Sequence, residues 1–289
     1  MTSYFLHIWI IITIYLILAV SLQLSIGFAG LMNFWHIAFF AIGAYTSTIL
    51  TKMWLPFELA FLSAWIFGMI WWILLSLPTK KLKGDYLALA TLWFTFVVYA
   101  LAINWKELTG WALGIAGISK PNIFWYQITN NTEFFIFSLL ICIISLLFIY
   151  RVINSKYGRA IEGMRDKELA MQTLGKNTQR IKLTVLWVSW FFAWIAWSLY
   201  AHYISYIDPS SFTLSQFIPI LSIVIVAGLG SYRWTIIAWI ILLLLPEVFR
   251  FVGFPSSLIW PMRQLLYAIS LIIIVLWRPK GLRGKLVME

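Results

Sequence analysis

Ten carboxylates and three histidines supply the acid–base chemistry of this 289-residue chain, and their spacing does not suit catalysis. His7, His36 and His202 lie far apart, with no H-E-x-x-H and no paired-histidine metal spacing. No G-x-S-x-G elbow occurs. Gly175-Lys176 and Gly284-Lys285 are followed by Asn177 and Leu286, so neither completes a phosphate-binding loop. Cys142 is the only cysteine, which excludes an internal disulfide or a cysteine metal cluster, and its apolar surroundings predict a packed thiol. The expectation is therefore a chain with no catalytic residue, no metal and no cofactor of its own.

Two carboxylates beside apolar runs remain as candidate ion sites, because charge in hydrocarbon is costly unless it is paired or faces water. Asp85 follows Lys80, Lys81 and Lys83, which reads as a helix-start carboxylate paired with a nearby lysine. Glu247 follows Pro246 and stands three residues before Arg250, which suggests a local pair. No series of carboxylates crosses the apolar segments, as a proton- or sodium-coupled carrier would need. His36 lies inside SIGFAGLMNFWHIAFFAIGAY, where hydrogen-bonded packing is expected over direct substrate contact.

The elements that must position these residues are membrane helices. With 62% hydrophobic and 11% charged residues and a mean hydropathy of +0.90, the chain has too much apolar surface for a water-soluble core. Runs near the roughly 20 residues that cross a bilayer recur from end to end. They predict an all-α polytopic membrane protein of eight or nine spans in one permease-like domain, 1–289, at about 4–25, 31–51, 56–78, 86–104, 133–150, 182–205, 214–231, 234–252 and 259–277. Gly27, Gly30 and Gly43 allow close helix contact or a break between the first two spans. The apolar start, Tyr4 to Leu24, has neither a charged leader nor a clear cleavage site and reads as a retained span.

The formal charge of +11 points to basic loops held on one side of a membrane, since no basic face with interleaved aromatics suggests nucleic acid. Placing the 151–182 loop in the cytoplasm puts 16 of the 21 basic residues on that side, with the N-terminus outside. That loop, about 153–182, is too polar for lipid. Ile161, Met164, Leu169, Met171 and Leu174 recur near helical spacing, and Gly175 with Asn177 supplies a stop, so a short amphipathic helix is expected. On pattern alone it could lie on lipid headgroups or dock a soluble partner.

Several stretches together resemble one family, the LivM-type permease subunits of branched-chain amino acid ABC importers. GFAGLMNFWHIAFFAIGAY is similar to its glycine-rich early motif, including Gly27, Gly30, His36 and Gly43. LKGDYLALATLWF, with Gly84, Asp85 and Tyr86, and LTGWALGIAGI, with Thr109 and Gly110, resemble its next two motifs. GRAIEGMRDKELAMQTLGKNTQRIKL, SSFT, AGLGSYRW with Gly228 and Gly230, LLPEVFR with Glu247, and RPKGLRG follow in family order. The resemblance implies a plasma-membrane half-transporter that works with a sister LivH-type permease, two cytoplasmic ATPases holding ATP and Mg, and an extracytoplasmic binding protein. It also implies an ATPase-docking segment over Arg165, Asp166, Glu168, Ala170, Leu174 and Gly175. Glu168 lies seven residues before Gly175 rather than six, so the general motif's glutamate role does not carry over to it. The substrate implied is leucine, isoleucine or valine, with urea or a short-chain amide as the alternative. A stand-alone carrier and a membrane scaffold are the readings from other classes.

Trp35, Trp72, Trp93, Trp111, Trp194, Trp197 and Trp234 fall where the resembled motifs carry glycine. Among helices packed through small residues, each such indole should cost on the order of 1 to 3 kcal/mol. Three readings stand: divergence with indoles facing lipid, a codon decoded as glycine in the source organism, which is favoured, or a decayed gene.

Overall fold

A computed structural model of the chain describes residues 2–53, 55–60, 63, 66, 85–123, 126–247, 255–278, 281–282 and 284. Helix α1, Thr2–Leu22, continues directly into a π-helical stretch, Gln23–Phe28, and α2 is Trp35–Lys52. Then come α3, Asp85–Asn104, and the short α4, Lys106–Thr109. Strands β1, Ile115–Ala116, β2, Asn122–Ile123, and β3, Tyr126–Gln127, precede α5, Asn131–Asn154. Two polar-segment helices, α6, Lys156–Asp166, and α7, Glu168–Thr173, lead into α8, Thr178–Ile204. The chain continues through β4, Tyr206–Ile207, α9, Leu214–Ala227, α10, Tyr232–Leu244, and α11, Ser256–Trp277. The only strands among the described residues form two-residue antiparallel ladders, β1 with β4 and β2 with β3, so the architecture is all-α.

Among the described residues, five helical stretches are long and apolar enough to cross a membrane: Ser3–Phe28, Tyr86–Asn104, Asn131–Asn154, Thr178–Ile204 and Pro209–Ala227. Tyr232–Leu244 and Pro261–Trp277 are shorter apolar helices. The protein is a multi-pass membrane protein. The span expected over 56–78 falls mostly outside the described residues. The 214–231 expectation overran, because Gly228 and Gly230 take φ of +98° and +78° and end α9 at Ala227.

Helix α1 is apolar on every side and is the hub of the bundle, which is where such a helix belongs. It packs against α5, α8 and α10, while α2 packs against α8 and α3, and α9 against α10 and α11. Ile10, Ile14, Ile17, Leu18 and Leu22 are fully buried. Helix α5 instead leaves Ile136, Leu140, Ile143, Ile144 and Leu147 exposed, a face suited to lipid. Its start is fixed by the Glu133 carboxylate, which accepts from the Thr129 and Asn130 backbone N–H groups at 3.1 and 3.4 Å. Cys142 is a buried free thiol, as the sequence suggested.

The substituted-glycine positions divide. Trp93 is 70% exposed and suits the lipid-facing reading. Trp35, Trp194 and Trp197 are buried, and the Trp35 and Trp194 indole N–H groups have no acceptor among the described residues. A Cβ built on Gly43 would lie 2.2 Å from Trp194 Cδ1. Trp111 holds φ at +65°, a left-handed conformation natural to glycine and strained for an aromatic residue. Trp234 is half-buried, and Trp72 lies outside the described residues.

Candidate functional site

The polar segment between α5 and α8 is built as two helices rather than the single amphipathic helix expected. Ser155 Oγ starts α6 by accepting from the Tyr157 and Gly158 N–H groups at 3.1 and 3.2 Å. Lys167 then leaves helical geometry, at φ −148° and ψ 87°, and α7 folds back on α6. Gly163 permits this approach, since a Cβ there would lie 2.9 Å from Met171 Sδ. The apolar residues are thereby sorted. Ile161 and Met164 are buried and Met171 is half-buried, while Leu169 and Leu174 are 74% and 73% exposed. Gly175, at φ +73°, closes α7, and Asn177 Oδ1 opens α8 by accepting from Arg180 N–H at 3.0 Å. Burial raises the Tyr157 hydroxyl's pKa, against a smaller opposing effect of its bond to Thr184, so it stays neutral at physiological pH.

The six residues of the expected docking segment divide into two sets. Asp166, Ala170, Leu174 and Gly175 are exposed. Arg165 and Glu168 instead tie the segment to the bundle. Glu168 pairs with Lys182 on α8 at 2.7 Å and accepts from Thr178 Oγ1 at 3.1 Å. Arg165 donates through Nε to Asp166 at 2.8 Å and through Nη1 to the Gly27 carbonyl at 3.0 Å. Its aliphatic stem covers Gly30, where a Cβ would lie 2.7 Å from Arg165 Cγ.

Gly27 and Gly30 thus sit at a junction of segments distant in sequence. Gln23 Nε2 donates to the Gly228 carbonyl at 2.8 Å, and a Cβ on Gly27 would lie 2.7 Å from the Gly230 nitrogen. Gly281 packs on Gly228, where its Cβ would lie 2.4 Å from the Gly228 Cα. The π-helical stretch keeps all its residues buried, so irregular backbone is enclosed in protein, the condition for tolerating it at membrane depth.

Several of the remaining motif residues make packing or hydrogen-bond contacts. His36 is fully buried, with Nδ1 3.0 Å from Asn33 Oδ1 and Nε2 3.2 Å from Ser189 Oγ, and so joins α2 to α8. Gly43 receives Trp194 of α8. Thr109 Oγ1 donates to the Ala102 and Trp105 carbonyls, and Gly110, at φ +73°, makes the turn that follows. Asp85 opens α3, Tyr86 is exposed, and Gly84 lies outside the described residues.

Glu247 is placed differently. It lies beside a half-open cavity of about 500 Å³ at the end of the bundle remote from α6 and α7, lined by α1, α8, α9, α10 and α11. Arg263 Nη2 donates to Glu247 Oε1 at 2.9 Å, and Tyr4 Oη donates to Oε2. Arg250, the partner that the spacing suggested, lies outside the described residues. Arg263 was missed because a partner on the next helix leaves no short-range signal.

Residues 4–276 match the family described as branched-chain amino acid transport system / permease component. The chain is 31% identical to the high-affinity branched-chain amino acid transport system permease protein LivM of Salmonella typhimurium, over 93% of this chain and 67% of that protein. It is 32% identical to the Escherichia coli protein of the same name, with the same coverage. A probable LivM of Methanocaldococcus jannaschii is 22% identical over 78% of the chain. No solved structure matches. The chain belongs to the family of permease components of branched-chain amino acid transport systems.

Proposed function

We propose that this chain is one of two permease subunits of a plasma-membrane ABC importer that moves leucine, isoleucine or valine inward. A sister permease completes the pathway, two ATPases drive it, and an extracytoplasmic binding protein delivers the substrate. This subunit breaks no covalent bond. The α7 surface carries the reading: it exposes Leu169 and Leu174 while Arg165 and Glu168 anchor the same segment to α8 and to the Gly27 junction. Exposed apolar side chains on a polar segment suit a protein partner better than water. ATP binding would close the ATPases, press on α7, and shift the bundle between outward- and inward-open states.

The test is to recover the intact complex from native membranes through this chain and identify what accompanies it. Two ATPases and a second permease are expected. Recovery of this chain alone would favour a carrier that acts by itself.

A further inference from the structure

A cavity that must pass a zwitterion needs both charges matched and an apolar wall for the side chain. The described residues contain one place with all three. Glu247 and Arg263 meet at the rim of the 500 Å³ cavity, within the range of small-molecule sites. The Glu247 carboxylate accepts from Arg263 and from Tyr4, so its charge is held by donors in the folded chain. The Arg263 side chain is 38% exposed and gives Glu247 one Nη2 bond, while its Nε is buried with no acceptor among the described residues. A buried donor without an acceptor marks a missing partner. A carboxylate seated against the guanidinium fork would supply it. Ile220, Ile223, Trp239 and Leu243 line the same cavity and offer apolar surface to a branched aliphatic side chain.

We infer that this cavity is a transient substrate site in the translocation path, in which Arg263 takes the α-carboxylate and Glu247 the α-ammonium of an aliphatic amino acid. The inference rests on the transport function proposed above. The ion pair is then a placeholder for the substrate's own charges: each partner screens the other in the empty site, and the zwitterion inserts without leaving either charge unpaired. An amide or urea lacks both charges and would leave the pair closed, so the site also selects between the two substrate classes.

The test uses the whole importer, purified without its binding protein and irradiated with a diazirine analogue of leucine. Adducts are expected on Ile220, Ile223, Trp239 or Leu243, suppressed at least tenfold by excess leucine. Leucinamide and 4-methylpentanoate, each lacking one charge, should suppress them far less. Adducts elsewhere, no saturable adduct, or equal competition by either analogue would overturn the inference. Arg263→Lys and Glu247→Gln should each raise the KM for leucine uptake at least tenfold; an unchanged KM would count against the site. Uptake by the unaltered importer is measured in parallel in proteoliposomes, with ATP inside and the binding protein added outside. Absence of uptake there defeats the transport reading, whereas uptake without saturable labelling defeats this site alone.

Discussion

Arg165, on the polar α6 helix, donates to the backbone carbonyl of Gly27 at 3.0 Å, in the π-helical stretch that ends the first span. Its stem fills the space over Gly30, and its side chain is only 8% exposed. A charge-assisted bond of this kind contributes about 1.5–3 kcal/mol. It connects the polar segment proposed to dock the ATPases with the junction of Gln23, Gly228 and Gly230.

Arg165→Ala should therefore uncouple the machine. ATP hydrolysis stimulated by the binding protein is expected to persist while leucine uptake falls at least tenfold, read as the ratio of ATP consumed to substrate moved. Uptake and hydrolysis falling in parallel would contradict this role.

Leu169 and Leu174 are expected to matter to assembly and not to folding. Leu174→Asp removes an exposed apolar side chain, so the melting temperature of the isolated permease should hold within a few degrees while copurifying ATPase is lost. Retained ATPase at wild-type stoichiometry would move the docking surface elsewhere.

His36→Leu breaks the bonds to Asn33 and Ser189 at the α2–α8 contact and leaves their polar atoms buried. A destabilisation of about 1–3 kcal/mol per unsatisfied group is expected by thermal unfolding in detergent. Loss of transport with unchanged stability would instead place His36 in contact with substrate.

At positions 111 and 194, tryptic peptides from the native organism are expected to carry glycine masses. The grounds are the left-handed φ of Trp111 and the Trp194 indole crowding Gly43. In a chain expressed literally, Trp194→Gly should then raise thermal stability, by about 1–3 kcal/mol for a relieved overpacked site. Tryptophan masses from native material would mean the helices have repacked around the indoles.

The sequence made boundaries legible where apolar runs met a strong stop: Gly175 and Asn177 marked the α7–α8 boundary. It did not reveal the π-helical continuation of α1, because apolar residues on every side erase the period that would report a change of winding. The amphipathic pattern held for Ile161 and Met164 but not for exposed Leu169 and Leu174, because the break at Lys167 carries no glycine or proline and Met171 packs against Gly163. The resemblance proposes a docking segment, but its division into outward Leu174 and inward Arg165 depends on contacts 138 residues away in sequence. Glu247 was visible as an unusual carboxylate, whereas Arg263, sixteen residues on and on another helix, had no local cue.

The most direct measurement is uptake of labelled leucine into proteoliposomes holding this chain, its sister permease and both ATPases, with ATP inside and the binding protein outside. The account predicts accumulation that stops when either ATP or the binding protein is withheld. Accumulation without ATP, or without the binding protein, would contradict it.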